Sequence, residues 1–167
     1  MPVKTVPLDT AKHNRQGFDC GVEALNLFLQ RTANQQAAKN HARTYVLEDE
    51  ADGTRIAGFY TLTMIQFELS QIPPQLQKKH RPVQAAALIA RLAVDTAYQG
   101  KGFGGFLLHD ALCRLYQAAY LVGFPVVFVD AKDGMADFYR RYGFADAAAN
   151  RLYITVETIR QAIAKTA

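Results

Sequence analysis

The spacing of apolar residues changes along the first half of the chain between a helical period and a strand-like one. Apolar residues recur every three or four positions between Cys20 and Ala38, which predicts one or two helices there. Two β-rich runs, Tyr45–Leu47 and Ile56–Ile65, flank an Asp-Gly turn and predict a hairpin. A short strand is predicted at Val3–Leu8, and the polar, proline-marked segment Ser70–Pro82 is predicted to be a loop.

The second half of the chain alternates strongly apolar strands with helical patterns. An apolar strand, Ala86–Val94, leads into a helix that begins near Gly104 and whose apolar stripe ends near Val122. The later predicted elements are a buried strand at Val126–Val129, a short helix at Gly134–Tyr142, a strand at Arg151–Val156 and a final helix at Glu157–Ala164. The pattern therefore predicts a mixed α/β fold without internal repeats.

Composition narrows this picture to one compact domain that spans residues 1–167. Half of the 167 residues are apolar, which is enough to bury a core without metals or disulfides. The formal charge of +4 suits an anionic partner. Cys20 and Cys113 are too few for a disulfide framework and are expected to be buried thiols. Because no apolar run reaches the length of a signal peptide or a membrane span, a cytoplasmic protein is expected.

The glycine-rich segment Gln99-Gly100-Lys101-Gly102-Phe103-Gly104 is the strongest chemical pattern in the chain. It joins the predicted strand directly to the predicted helix. Glycines let the backbone approach an anion closely, and the unpaired N–H groups and the dipole of the first helical turn attract negative charge. The junction therefore predicts a ligand that carries a pyrophosphate.

Three known phosphate-binding motifs can be compared with the sequence of this segment. The P-loop is excluded because no Gly-Lys-Ser or Gly-Lys-Thr occurs at the required spacing. Gly100, Gly102 and Gly105 fit the dinucleotide fingerprint, with Asp130 as its ribose-binding acid, but only about sixty residues follow, too few for the remaining βα units. The third motif, Gln/Arg-x-x-Gly-x-Gly/Ala, is matched by Gln99, Gly102 and Gly104 after a strand.

That third motif belongs to the Gcn5-related N-acetyltransferases, and the chain resembles this family nearly from end to end. It is most similar to the acetyltransferase toxins of type II toxin–antitoxin systems. The chain departs from the family pattern at Gln84–Ala87, where that pattern has prolines and larger apolar residues. The wall of the substrate site is therefore expected to differ in shape from that of other family members. The segments that carry the resemblance are Phe18–Asn26, Gly58–Leu62, Arg91–Asp95, the Gln99 loop, Asp130–Phe144 and Arg151–Tyr153.

The resemblance implies an α/β fold with a central mixed, mostly antiparallel sheet, flanked by helices and split in a V between the fourth and fifth strands. It implies acetyl-CoA as the cosubstrate. The backbone at the end of the central strand would then bind the pantetheine amides in the manner of an added strand. The cofactor-binding residues that it implies are Leu92, Ala93, Val94, Gln99, Gly100, Lys101, Gly102, Phe103, Gly104, Gly105, Phe138 and Arg141.

Tyr139 is the proposed general acid, because the resemblance places its hydroxyl near the cofactor sulfur. A phenol with a pKa near 10 can donate a proton to the departing thiolate or stabilise it. No equally persuasive general base is present, and this favours an α-amine acceptor, whose pKa near 7.7 leaves a substantial neutral fraction. Ser70, the only serine, and the two cysteines suggest no nucleophilic mechanism, and the histidines show no metal-binding spacing.

The partners follow from the resemblance together with the basic residues. The resemblance to the toxins implies aminoacyl-tRNA as the substrate and a ribbon-helix-helix antitoxin as a partner. It also implies operator DNA that is bound only through the antitoxin complex, and a homodimer. Lys78, Lys79, Arg81 and Arg91 are the candidate tRNA contacts, although short basic runs are usually solvated surface, and Arg91 and Arg141 can instead serve the cofactor or the core. The alternatives are an acetyltransferase for a small amine or a protein N-terminus, and a non-catalytic acyl-CoA-binding regulator.

Overall fold

A computed structural model of the chain describes residues 4–166, so Val3 of the first predicted strand lies outside the described residues. Residues 4–63 and 90–112 form one compact unit, called here the first unit. In it, β1 (Val6–Pro7), β2 (Arg43–Glu48) and the start of β3 (Ile56–Glu68) pair antiparallel, and Val46 lies opposite both Val6 and Phe59. The predicted hairpin is confirmed.

The helical segment of the first unit begins later and is less regular than its apolar period predicts. It consists of α1 (Glu23–Leu27), a π-helical turn at Phe28–Thr32, and α2 (Ala33–Ala38). The predicted start at Cys20 is wrong by three residues, because Gly21 has a φ of 84° and Val22 is extended. The π-helical turn was not predicted. Phe28 and Leu29 are buried in it, and Phe28 stacks on Phe59 at 6.3 Å between ring centroids.

Residues 64–89 and 113–166 form the second unit. Its predicted loop, Ser70–Pro82, is wrong in part, because it includes a 3-10 turn and a short helix that starts with a proline at its first position. In chain order, and without regard to the division into units, the elements after β3 are the 3-10 turn Leu69–Gln71, α3 (Pro74–Gln77), β4 (Val83–Val94), the 3-10 turn Thr96–Tyr98, α4 (Phe103–Val122), β5 (Val126–Asp130), α5 (Ala136–Arg141), β6 (Ala145–Asp146), β7 (Arg151–Thr155) and α6 (Val156–Thr166).

The seven strands are hydrogen-bonded in the order β1-β2-β3-β4-β5-β7-β6. β4 and β5 run parallel, with Ala87–Ile89 opposite Val127–Val129, whereas β7 pairs antiparallel with both β5 and β6. The predicted mixed, mostly antiparallel sheet with flanking helices is confirmed. β6 was not predicted, since two residues carry no period that distinguishes a strand.

Candidate active site

The predicted site residues fall into two groups, one in each unit. The first group lies at the junction between β4 and α4. Asp95 caps the 3-10 turn Thr96–Tyr98 by accepting a hydrogen bond from the Ala97 N–H at 2.9 Å. The chain then passes through the glycine loop Gln99–Gly102 and enters the 20-residue α4 at Phe103. The first N–H groups of this helix have no partners within the helix and can bind an anion.

Two glycines give the loop its shape. Gly100 and Gly102 have φ values of 77° and 85°, a conformation that side chains with a β-carbon rarely adopt. A β-carbon built on either residue would have no protein atom within 4 Å. The glycines are therefore required by the backbone conformation, and the space above them is open to a close-fitting anion.

The side chain of Gln99 binds the protein itself. Its Nε2 donates hydrogen bonds to the carbonyls of Val94, at 2.8 Å, and Cys20, at 3.1 Å. The amide thus ties the loop to the end of β4 and to the segment before α1. This contact gives Gln99 a role as support for the loop, whereas its prediction as a direct cofactor contact remains a prediction.

A second tie holds the other side of the loop, and its residues were missed by the sequence analysis. The Tyr98 hydroxyl donates a hydrogen bond to Asp49 in the β2–β3 hairpin, and the Arg55 guanidinium lies 5.1 Å from the Tyr98 ring centroid. Tyr98 also packs edge-on against Phe103 at 5.9 Å. The shared hydrogen bond raises the pKa of Tyr98 and lowers the pKa of Asp49. Asp49 and Tyr98 are 49 positions apart, so no local sequence pattern links them.

The N-terminal half of α4 is packed tightly against the sheet of the first unit. A β-carbon on Gly58 in β3 would lie 2.7 Å from Leu107 Cδ1 and 2.9 Å from the Ala93 carbonyl oxygen. One turn further along α4, the buried Asp110 accepts hydrogen bonds from Thr5 and Tyr60, both at 2.7 Å. These contacts fix the direction in which the start of the helix, and hence the glycine loop, presents its N–H groups.

The second group centres on Tyr139 in α5 of the second unit. Its side chain is buried, with only 6% of its surface exposed, and its ring lies edge-on to Phe138 at 5.1 Å and Phe144 at 5.7 Å. No hydrogen bond to its hydroxyl occurs within residues 4–166. Burial raises the pKa of Tyr139 to about 12, because the phenolate would lose its hydration. The phenol is therefore a protonated donor at any physiological pH.

The remaining candidates near Tyr139 are more exposed. Phe138 is half-buried, and the exposed Arg141 places its guanidinium 6.0 Å from the Phe138 ring centroid. α5 ends at Arg141, and Gly143, with a φ of 96°, then turns the chain so that Phe144 returns to the core. Arg140 pairs with Asp137 and Asp146.

The candidate tRNA contacts occupy two different environments. Lys78, Lys79 and Arg81 are exposed and follow α3 directly. Arg91 instead lies with its guanidinium 3.7 Å from the centroid of the Phe28 ring, and burial lowers its pKa. The geometry therefore favours a packing role for Arg91, and the run at 78–81 is the exposed part of the predicted basic surface.

The structure also places the two cysteines, His13 and Asp130, which the sequence analysis mentioned in other roles. Cys20 and Cys113 are buried and form no disulfide, as expected. His13 is 5% exposed, accepts the Asp9 N–H through Nδ1 and contacts Glu48 through Nε2. Asp130, the candidate ribose acid, is paired with Arg151 at 2.7 Å.

Two other kinds of feature are absent from the part of the chain that the structure describes. Residues 4–166 contain no group of three or more His, Cys, Asp or Glu side chains arranged to hold a metal ion. None of the helices in that part of the chain has both the length and the apolar character required to cross a bilayer.

Comparison with known proteins identifies the domain. Residues 40–146 match the family described as an acetyltransferase (GNAT) domain. The chain is 30% identical to a probable toxin TacT from Sinorhizobium fredii, over 92% of this chain and 91% of that protein. It is also 30% identical to a tRNA-acetylating toxin from Mycobacterium tuberculosis, over 82% of this chain and 81% of that protein.

Solved structures agree with these relatives. AtaT complexed with acetyl-methionyl-tRNAfMet is 30% identical, with a TM-score of 0.88 and coverage of 95% of this chain and 98% of that one. A tyrosine-to-phenylalanine variant of AtaT, bound to the C-terminus of the antitoxin AtaR and to acetyl-CoA, is 29% identical with a TM-score of 0.81 and coverage of 95% and 96%. A KacTA–DNA complex is 30% identical with a TM-score of 0.79, covering 95% of each chain.

Proposed function

This chain belongs to the GNAT acetyltransferase family, and from that premise we propose that it is a toxin that transfers acetyl from acetyl-CoA to the α-amine of aminoacyl-tRNA. An acetylated α-amine is an amide nitrogen and can no longer attack a peptidyl ester, so the product blocks elongation. Relatives that cover most of this chain carry tRNA acetylation in their names or were solved with acetylated tRNA. They favour this substrate over a small amine or a protein N-terminus.

The glycine loop is the observation that carries the acetyl-CoA part of the proposal. Its open surface over Gly100 and Gly102 and the first N–H groups of α4 suit the pyrophosphate of coenzyme A. The end of β4, Leu92–Val94, offers backbone groups for the pantetheine amides. Solved relatives with acetyl-CoA bound have the same fold.

The chemistry requires the amine, the thioester and one acid. The neutral α-amine attacks the thioester carbonyl, a C–N bond forms, and the C–S bond breaks with its electron pair going to sulfur. The amine nitrogen loses its surplus proton to solvent. In the proposal, the Tyr139 hydroxyl donates to the departing thiolate and is then reprotonated. Because a phenol with a pKa of about 12 is a weaker acid than a thiol, Tyr139 stabilises the thiolate first through a hydrogen bond, and proton transfer to sulfur is completed as Tyr139 takes up a proton from solvent.

The antitoxin and the DNA in the proposal follow the solved relatives. A relative was solved with the C-terminus of its antitoxin, and another as a toxin–antitoxin complex on DNA. We propose an antitoxin of the ribbon-helix-helix class for this chain, with operator DNA bound through that complex, and a homodimer as the active form. Because charged tRNA is a cytoplasmic substrate, the proposed place of action is the cytoplasm.

The deciding experiment is incubation of the protein with labelled acetyl-CoA and total charged tRNA. We expect label on the aminoacyl group, which is then identified after mild alkaline release. Label on proteins or small amines but never on tRNA would reject the toxin and favour the general acetyltransferase. Binding of acetyl-CoA without any transfer would favour the non-catalytic regulator.

The exposed basic run is expected to bind tRNA phosphates. Changing Lys78, Lys79 and Arg81 together to glutamate should weaken binding of charged tRNA by about 10-fold or more at physiological salt, because each contact releases counterions. The slope of log affinity against log salt should fall by about one for each lost contact. Filter binding across a salt series measures both quantities.

A second triple variant keeps the net charge equal. Arg31, Lys132 and Lys165 are exposed cations outside the run, and their reversal to glutamate changes the total charge by the same amount. If both variants weaken tRNA binding equally, long-range charge explains the effect and the run is not a contact. Acetylation of an amino acid methyl ester should be unaffected in both variants.

The tie between Tyr98 and Asp49 is expected to position the cofactor loop. Tyr98→Phe keeps the ring against Phe103 and Arg55 but removes the hydrogen bond to Asp49. We expect the KM for acetyl-CoA to rise about fivefold with kcat unchanged, which corresponds to the loss of one hydrogen bond. Tyr120→Phe, at a residue that is 88% exposed, is the matched control. A fall in kcat without a change in KM would assign Tyr98 another role.

A further inference from the structure

The segment Phe18–Asn26 carries part of the family resemblance, and its first half lies directly against the chain that leads into the glycine loop. Three of its residues, Asp19, Cys20 and Gly21, are called here the strap. The strap and the glycine loop both belong to the first unit. Because the residue types in this segment match no motif for cofactor or substrate binding, its role has to follow from its contacts.

Hydrogen bonds join the strap to the 3-10 turn that follows β4. The Thr96 N–H donates to the Asp19 carbonyl at 2.8 Å, and the Asp19 N–H donates to Oδ2 of Asp95 at 3.0 Å. The Cys20 carbonyl accepts Nε2 of Gln99 at 3.1 Å. Asp95 is itself buried, and its other carboxylate oxygen caps the 3-10 turn. The strap therefore holds the residues that directly precede the glycines of the loop.

Asn26, a buried residue of α1, holds the strap in turn. Its Oδ1 accepts the Cys20 N–H and its Nδ2 donates to Oδ1 of Asp19, both at 2.9 Å. A backbone N–H can only donate and an ionised carboxylate can only accept, so the side chain between them must offer an acceptor and a donor together. An asparagine amide does so, whereas an aspartate or a leucine of similar size does not.

The carboxylate of Asp19 is kept ionised by its hydrogen bonds. Oδ1 of Asp19 accepts the Gly21 N–H at 2.9 Å as well as the Asn26 amide, and these two contacts lower the pKa of Asp19 below its ordinary value. An aspartate at position 26 would place a carboxylate oxygen where Nδ2 of Asn26 now lies, 2.9 Å from Oδ1 of Asp19. Two such carboxylates repel each other, so this substitution should displace the strap.

We propose that Asn26 is a positioning residue for acetyl-CoA. By holding the strap, it fixes the 3-10 turn and Gln99, and these set the direction in which the glycine loop and the start of α4 present their N–H groups to the pyrophosphate. Asn26 acts through the loop and does not itself touch the cofactor. Because a hydrogen bond weakens steeply when its distance or angle changes, a displaced loop binds the phosphates less well. The inference rests on the proposed function, since acetyl-CoA is the cofactor that is positioned.

The test compares acetyl-CoA with S-acetylpantetheine, a thioester that has the same reactive arm but no phosphate. With charged tRNA as acceptor, we expect Asn26→Asp to lower kcat/KM for acetyl-CoA about tenfold, mainly through KM, and to leave kcat/KM for S-acetylpantetheine unchanged. The difference is expected because only acetyl-CoA uses the N–H groups of the loop. Equal losses on both thioesters would mean that Asn26 only stabilises the fold. That result, or no loss on either thioester, overturns the proposal.

Thr44→Val is the matched control for a loss of stability. Thr44 is buried in β2 of the same unit, and its hydroxyl shares a hydrogen bond of 2.7 Å with the Thr61 hydroxyl. The variant should lower Tm and keep the wild-type kcat/KM for acetyl-CoA. If it lowers kcat/KM as much as Asn26→Asp does, stability explains both results and the proposal fails.

A double variant tests the hydrogen bond between Asn26 and Asp19 itself, and it also covers the case in which Asn26→Asp does not fold. Asp19→Asn combined with Asn26→Asp exchanges the donor and the acceptor and removes the repulsion between the two carboxylates. We expect kcat/KM for acetyl-CoA to return to within about threefold of the wild-type value. A double variant with wild-type Tm that remains about tenfold impaired would contradict the role given to this contact.

Calorimetry with CoA needs no acceptor and separates this inference from the proposed function. Asn26→Asp should bind CoA about tenfold more weakly than the wild-type protein. If it does so and the wild-type protein never acetylates charged tRNA, the positioning role stands and the proposed toxin activity fails. If the wild-type protein acetylates charged tRNA and Asn26→Asp keeps the wild-type affinity for CoA, the proposed function stands and the positioning role is wrong.

Discussion

Tyr139→Phe is expected to lower kcat for acetylation of charged tRNA by about 100-fold or more, with little change in the KM for acetyl-CoA. The substitution removes one oxygen and keeps the ring that packs against Phe138 and Phe144. The hydroxyl has no hydrogen-bond partner within residues 4–166, so its loss should leave the free energy of unfolding nearly unchanged. Steady-state kinetics and a thermal unfolding curve of the same preparation check both statements.

Tyr142→Phe is the matched control for this prediction. Tyr142 directly follows α5, is 43% exposed, and packs against the same Phe138 ring at 5.2 Å. It should retain wild-type kcat. If both variants were equally active, Tyr139 would be a core residue, and the acid would have to be sought elsewhere.

The pH dependence gives an independent check on Tyr139. Because burial raises its pKa from 10 to about 12, the acid remains protonated well above the pH at which an ordinary tyrosine ionises. With an amino acid amide as acceptor, which survives the alkaline conditions that hydrolyse the ester of charged tRNA, the initial rate should rise as the acceptor ammonium, with a pKa near 7.7, loses its proton, and then remain level to about pH 11. A decline centred near pH 10 would indicate a solvent-exposed phenol and would contradict the buried environment.

The local part of this site could be predicted from the sequence because its chemistry is encoded in consecutive residues. The loop Gln99–Gly102 and the start of α4 follow from glycines that lie between an apolar strand and a helical stripe. Gly100 and Gly102 do adopt the left-handed conformation that such a turn requires. The helix α4 was predicted from its apolar period to within one residue of its observed start at Phe103.

The contacts that hold this loop could not be predicted, because they join distant positions. Tyr98 meets Asp49 in a hairpin, and Gln99 meets the Cys20 carbonyl, 79 positions away. Their partners are ordinary turn and loop residues whose side chains show no distinguishing pattern. Arg91 shows the opposite case: its charge suggested a phosphate contact, and the fold places its guanidinium beside Phe28, which favours the core role that the sequence also allowed. Sequence reasoning found the groups that are adjacent in the chain and missed those that only the fold brings together.

Gly102→Ala is expected to weaken acetyl-CoA binding by about 100-fold. Gly102 has a φ of 85°, and a β-carbon there meets no protein atom within 4 Å, so it would extend into the space proposed for the pyrophosphate. The backbone strain of an alanine in this conformation costs about 1–2 kcal/mol, and relief of that strain would turn the N–H groups away from the anion. Calorimetry with acetyl-CoA measures the loss directly.

Gly123→Ala separates strain from anion binding. Gly123, immediately after α4, has a φ of 75°, and a β-carbon there likewise meets no protein atom within 4 Å. Both variants therefore suffer the same kind of backbone penalty and should lose similar free energy of unfolding. Only Gly102→Ala should lose affinity for acetyl-CoA, because only that glycine lies at the start of the helix that receives the phosphates. If the two variants bound acetyl-CoA equally well, the loop would not be the pyrophosphate site, and the acetyl-CoA part of the proposed function would lose its structural basis.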